Sequence, residues 1–271
     1  MNVILATLVV SLVLSAALGF LLGIFKKLFH ITVDPAEAAV RAELPGANCG
    51  ACGYPGCDAL AAAIASGTAP ASSCTVGGAS VAAAIGRVMG VEAHAETKVA
   101  VLACQGTNSA CPPKARYNGV GTCVAAKLSV NGTKRCDWGC IGFGDCARAC
   151  PFDAMRMGDD GIPHVDYRNC TGCGLCVAAC PQKILSCVPN ERTGAITLCS
   201  NRNDKKARVA KDCKVGCIKC GKCERVCPLS CIEVTDGIPL IDYSRCDSCG
   251  ECVKNCPTNA LALIEHTVNA V

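Results

Sequence analysis

The sequence predicts an α+β protein in which a single N-terminal transmembrane helix precedes small units organised around cysteine. Three observations predict it. Cysteine supplies 27 of the 271 residues, while aromatics make up 4%. Large aromatic cores are therefore absent, and bound metal is expected to supply folding energy in their place. The spacing C-x2-C-x2-C-x3-C-P is completed three times, at Cys180, Cys227 and Cys256. Finally, Met1 to Phe25 carries no charged side chain.

The uncharged stretch comes first. Val3 to Phe25 would extend about 35 Å as a helix, enough to cross a hydrocarbon core of about 30 Å. Lys26 and Lys27 follow at once. A cleaved signal would place positive charge before the apolar run, not after it. The lysines instead put everything that follows in the cytoplasm and the N-terminus outside. Residues 1–27 are thus expected to be a single-pass anchor in the cell (inner) membrane.

Residues 28–95 are expected to form a four-cysteine domain. An amphipathic connection from Ile31 to Ala47 leads into G-A-N-C-G-A-C-G-Y-P-G-C, which carries Cys49, Cys52 and Cys57; Cys74 follows. Gly50, Gly53 and Gly56 allow tight bends. Asp58 is the expected cap of a helix through Ala65, and a second helical stretch covers Val81 to Met89. Four cysteines suffice for one [4Fe-4S] cubane; a structural zinc is the competing reading, since four cysteines close a zinc site as well.

Two ferredoxin-like units follow, over residues 96–186 and 187–271. In the second, Cys217, Cys220, Cys223 and Cys227 are repeated by Cys246, Cys249, Cys252 and Cys256. This is the run of two-cluster ferredoxins, in which the fourth cysteine reaches across to the other cubane. One cluster is therefore expected on Cys217, Cys220, Cys223 and Cys256, and another on Cys246, Cys249, Cys252 and Cys227. Paired zinc knuckles have no use for a third and fourth cysteine ending in Cys-Pro. A disulfide framework belongs to short secreted chains.

The first unit is an imperfect copy. Cys170, Cys173, Cys176 and Cys180 keep the regular spacing. In C-D-W-G-C-I-G-F-G-D-C-A-R-A-C-P, Phe143 falls where Cys220 stands in the second unit. Cys136 is the expected substitute. The clusters then fall on Cys136, Cys140, Cys146 and Cys180, and on Cys170, Cys173, Cys176 and Cys150. G-I-P-H-V-D-Y and G-I-P-L-I-D-Y read as matching strands in the two units.

Five cubanes use twenty cysteines and leave Cys104, Cys111, Cys123, Cys187, Cys199, Cys213 and Cys231. Cys187 and Cys231 are expected to pack as inert small hydrophobes. The other five leave both readings open, buried thiols or a sixth cluster. Cys104 and Cys199 end similar apolar strands, V-A-V-L-A-C and G-A-I-T-L-C.

Other chemistry is excluded. The G-x-G-x-x-A at Gly142 sits among cluster cysteines and not after a strand of a βαβ unit. There is no P-loop, no H-E-x-x-H and no paired carboxylate motif, so no catalytic residue is expected. A net charge of +4 predicts no nucleic-acid partner. Lys205, Lys206, Arg208, Lys211, Lys214, Lys219 and Lys222 form either a docking face for an acidic electron carrier or a solvated surface.

The ordered motifs, from the anchor through G-A-N-C-G-A-C-G-Y-P-G-C to C-D-W-G-C-I-G-F-G-D-C-A-R-A-C-P-F-D-A and the second pair, span nearly the whole chain. In them the sequence resembles the B subunits of Rnf complexes, the ion-translocating ferredoxin:NAD oxidoreductases of bacterial membranes. The extra pair is similar to the longer, anaerobe-type form. The resemblance implies electron uptake from reduced ferredoxin. It also implies relay through [4Fe-4S] clusters to membrane and flavin/NAD subunits, while the complex moves Na+ or H+. A membrane-anchored cluster assembly or scaffold factor is the alternative from another class. An electron-transfer subunit of a different membrane oxidoreductase is a third reading.

Overall fold

The computed structural model describes residues 2–29 and 34–263. Met1, residues 30–33, where the expected connection from Ile31 begins, and residues 264–271, the end of the second expected unit, lie outside the described residues. Helices alternate with two-stranded antiparallel sheets, an α+β architecture.

Helix α1 (Asn2–Leu28) is the one described helix long and apolar enough to cross a membrane. Its window from Leu5 to Leu28 has a mean hydropathy of 2.6, and none of it is buried in the protein. A surface of Leu, Val and Phe exposed all round the helix has no protein to cover it, which suits lipid and not water.

Three short helices make the next unit: α2 (Pro35–Glu43), α3 (Cys57–Ala65) and α4 (Gly78–Met89). Asp34 caps α2 by accepting from the Ala36 N–H at 2.8 Å, and Pro35 presets its first turn. Val40, Leu60, Ile64 and Ile85 form the core between the helices. Asp58 is not the cap of α3. The helix begins at Cys57, whose N–H donates to Asn48 Oδ1 at 2.8 Å, so the donor is satisfied from the loop. Asp58 instead pairs with Arg41.

The next two units share one plan. In the first, β1 (Lys98–Leu102) pairs with β4 (Leu185–Pro189), and β2 (Met155–Met157) with β3 (Pro163–Val165). In the second, β5 (Ala195–Thr197) pairs with β8 (Leu261–Leu263), and β6 (Ile232–Thr235) with β7 (Ile238–Ile241). Each unit thus has an outer pair joining its ends and an inner hairpin. The two G-I-P motifs supply β3 and β7. Strand β4 crosses the expected division between residues 186 and 187.

Between the strands run α5 (Cys123–Val130), α6 (Asp145–Arg148), α7 (Leu175–Ala179), α8 (Lys206–Asp212), α9 (Lys222–Arg225) and α10 (Glu251–Lys254). Four of these, α6, α7, α9 and α10, each follow a left-handed glycine: Gly144, Gly174, Gly221 and Gly250, with φ between 65° and 80°. That conformation costs other residues about 1–2 kcal/mol. It turns a cysteine-bearing loop sharply into a helix whose first turn carries the next cysteine.

Candidate iron–sulfur centres

The cysteines gather in groups around cavities. Cys49, Cys52, Cys57 and Cys74 line one of about 310 Å³ beside Leu60 and Val76. Cys150, Cys170, Cys173 and Cys176 line another of about 340 Å³, and Cys217, Cys220, Cys223 and Cys256 one of about 360 Å³. These three groups are the ones expected from spacing. Cys246 and Cys252 pack together with Cys227 in the apolar cluster of the second unit, and the charges of Cys246 and Cys249 act on Cys252. The crossing over of the fourth cysteine follows from the Cys-Pro turns at the ends of α6, α7, α9 and α10.

The first ferredoxin-like unit corrects the expected grouping at one position. Cys140, Cys146 and Cys180 line a cavity of about 360 Å³ with Cys123, not with Cys136. Cys123 is the first residue of α5, and Asp145 holds it there by accepting from the N–H groups of Cys123 and Val124 at 3.0 and 3.1 Å. Cys136 lines a different cavity, of about 350 Å³, together with Cys104, Cys111, Cys199 and Cys213. The physical reason is that a turn at Asp137 and Trp138 separates Cys136 from Cys140. Gln182 fixes this turn by donating to the Asp137 and Gly139 carbonyls, both at 2.9 Å. A signal for this was present: Cys136 has a counterpart, Cys213, in a unit whose four regular cysteines are complete.

Of the two cysteines expected to be inert, Cys231 is buried with its sulfur 3.3 Å from Cys227 Sγ. Cys187 is half-buried on β4, opposite Ala100.

The electrostatics suit a metal-loaded state. Burial pushes the Cys140 and Cys176 thiols up to about 12. It pushes Cys136, Cys146, Cys217 and Cys252 up to about 11. Neighbouring cysteines add to the effect. Such groups become thiolates only against a positive centre. Backbone N–H groups already point at several sulfurs: Gly77 at Cys74 and Ala100 at Cys170, each at 3.3 Å, and Ala260 at Cys256 at 3.2 Å. The Thr171 hydroxyl, which lines the Cys170 cavity, is a buried polar atom without a hydrogen-bond partner. A cluster sulfide would give it one.

The spacing also separates a cubane from a single ion. Zn–S bonds of about 2.3 Å in a tetrahedron bring the sulfurs within about 3.8 Å of one another. Among the described residues no group of three Cys, His, Asp or Glu side chains is arranged to hold a single metal ion. The cysteines instead line cavities of about 310–360 Å³, which leave room between the sulfurs for a [4Fe-4S] core.

Comparison with known proteins agrees with this chemistry. A family model for an Fe-S cluster domain matches residues 44–76. The model of the 4Fe-4S dicluster domain matches residues 135–184 and again 216–260. The chain is 45% identical over 230 residues to the B subunit of the Na(+)-translocating ferredoxin:NAD(+) oxidoreductase complex of Acetobacterium woodii, covering 84% of this chain and 68% of that one. It is 41% identical to the B subunit of the ion-translocating oxidoreductase complex of Methanosarcina acetivorans, over 89% and 92% of the two chains. It is 38% identical to the B subunit of the proton-translocating ferredoxin:NAD(+) oxidoreductase complex of Clostridium ljungdahlii, over 92% and 87%.

Proposed function

This chain belongs to the family of B subunits of ion-translocating oxidoreductase complexes, and on that premise we propose that it is the complex's electron relay. It takes single electrons from reduced ferredoxin and passes them through [4Fe-4S] clusters to membrane and flavin/NAD subunits. Five clusters use the four groups of cysteines that line the cavities of the N-terminal and ferredoxin-like units, with Cys123 completing the first ferredoxin-like group, and the Cys227, Cys246, Cys249, Cys252 group.

The observation that carries the reading is the succession of cysteine groups from the unit beside α1 to the C-terminal unit. Of all the cysteines, only Cys249 is exposed. It belongs to the last group in the chain, farthest along it from the anchor. A solvent-facing cluster accepts electrons from a mobile partner; a cluster in the unit nearest the bilayer hands them to membrane subunits. Basic residues of α8 and its neighbours, Lys205, Lys206 and Lys222, support docking of an acidic carrier. Lys219 is committed to the Asn203 carbonyl and Arg208 to Asp212, which leaves fewer free cations for docking than the sequence suggests. The α1 helix anchors the chain with its cluster units on the cytoplasmic side. A single span forms no ion path, so ion movement falls to partner subunits.

The test is purification from native membranes in mild detergent without oxygen, followed by NAD+ reduction with reduced ferredoxin. Co-purifying membrane subunits and activity that Cys252→Ser abolishes are expected. A chain that purifies alone, takes no electrons from ferredoxin and yields its iron readily to a chelator would mark an assembly factor instead.

A further inference from the structure

We infer that the chain holds a sixth [4Fe-4S] cluster at the seam between its two ferredoxin-like units, bound by Cys104, Cys136, Cys199 and Cys213. Both family-model matches to the dicluster domain leave out Cys104, Cys199 and Cys213, and no standard spacing joins the four.

Five cysteines line the seam cavity: these four and Cys111. The cavity, about 350 Å³, is the same size as the others. The internal repeat selects four of the five. Cys104 follows β1 and Cys199 follows β5, the equivalent strands of the two units. The Cys104 sulfur accepts from the Cys140 N–H and the Cys199 sulfur from the Cys217 N–H, both at 3.3 Å. Cys140 and Cys217 are themselves equivalent. Cys136 and Cys213 likewise stand four residues before them. Each unit therefore offers the same pair of sulfurs, and the two pairs meet at one cavity. Cys111 lines the cavity without an equivalent in the second unit and is the bystander.

A second observation asks for negative charge at the same place. Lys134 lines the cavity, is 4% exposed, and donates to the carbonyls of Gly106 at 2.7 Å and Gly161 at 3.0 Å. Among the described residues no carboxylate forms an ion pair with it; Asp160 feels it only at longer range. An uncompensated buried ammonium is costly. A +2 cubane core with four thiolates carries a net charge of about −2, which would offset it. Asn201, 5% exposed, also donates to Cys136 Sγ at 3.4 Å. Gly106 and Gly139 present bare Cα atoms to the sulfurs: a Cβ on them would stand 3.4 and 3.5 Å from Cys104 Sγ.

The position gives the cluster a role. The Cys140 group lies on one side, through Cys104, and the Cys217 group on the other, through Cys199. A cluster held by Cys104, Cys136, Cys199 and Cys213 would stand between these two groups and would supply one-electron transfer between them. No proton or bond changes hands. The proposal rests on the cluster-relay reading above, and counting iron separates the two.

The experiment is iron and zinc analysis of the full chain, purified and reconstituted without oxygen. About 24 irons per chain are expected, against about 20 for five cubanes, at four irons each. The double variant Cys199→Ser/Cys213→Ser should lose about four irons, and Cys111→Ser none. A wild-type count of about 20, with or without one zinc, overturns the seam cluster and leaves the other five standing. Loss of four irons from Cys111→Ser overturns the ligand assignment. A wild-type chain without [4Fe-4S] iron overturns both readings. Should the double variant fail to fold, the wild-type count decides.

Discussion

The Asp145 carboxylate accepts hydrogen bonds from the backbone N–H of Cys123, at 3.0 Å, and of the residue after it, at 3.1 Å. Asp145 opens α6, which also carries Cys146, so one side chain ties two cysteines of the same cavity together. It does for Cys123 what direct chain linkage does for Cys220 in the second unit.

Asp145→Ala should therefore destabilise the start of α5 by about 1 kcal/mol, with Thr122 still capping the helix through the Ala125 N–H. Thermal unfolding would measure it, and Asp145→Asn, which keeps one accepting oxygen but sets an amide NH2 against the second N–H, should recover only part of the loss. Cysteine variants test the grouping itself. Cys123→Ser and Cys136→Ser should each remove about four irons, and the double variant about eight, as expected of residues that line separate cavities and, on the proposed assignment, serve separate cubanes. A double variant that loses only four would put both in one site.

Gly172 stands between Cys170 and Cys173 with a φ of +65°, and a Cβ there would lie 2.3 Å from the Lys98 carbonyl of β1. Gly174 has a φ of +80° but open space around it. Gly174→Ala should cost about 1–2 kcal/mol for the left-handed conformation alone. Gly172→Ala should cost about 1–3 kcal/mol more through displacement of β1. Chelator-driven iron loss, followed by absorbance, should be faster in Gly172→Ala; equal rates in the two variants would remove β1 as the support of this loop.

Burial raises Cys140 and Cys176 to about 12, and Cys146, Cys217 and Cys252 to about 11, from an ordinary 9.0. In the iron-free protein the folded state then holds protons that the unfolded state releases above pH 9. Stability from this source is present below pH 9 and lost as pH rises through 11 to 12. The loaded protein, whose sulfurs are already thiolates, should not show this loss. Iron binding displaces the same protons, so retention against a chelator should improve from pH 7 to pH 10. Urea midpoints of iron-free and loaded protein across this range would check the sign.

The sequence by itself determined the long apolar helix and the α+β class, and it proposed three cysteine groups whose members line common cavities. Each rests on local rules: an uncharged run long enough for a bilayer, turns forced by Cys-Pro, and loops in which four sulfurs are neighbours along the chain or repeat. The G-I-P strands were legible for the same reason, because they repeat. The tertiary structure decided the rest. Asp58 looked like a cap until Asn48 reached the Cys57 N–H. Cys136 looked like the missing ligand because it is four residues from Cys140, yet Cys123, seventeen residues away, is the one that Asp145 brings to the cavity. The seam brings together residues from 104 to 213, which approach only after β1 has paired with β4 and β5 with β8. Spacing encodes a site when the chain between its residues is too short to wander; when long segments intervene, only the packing of the strands that bracket them fixes which sulfurs meet.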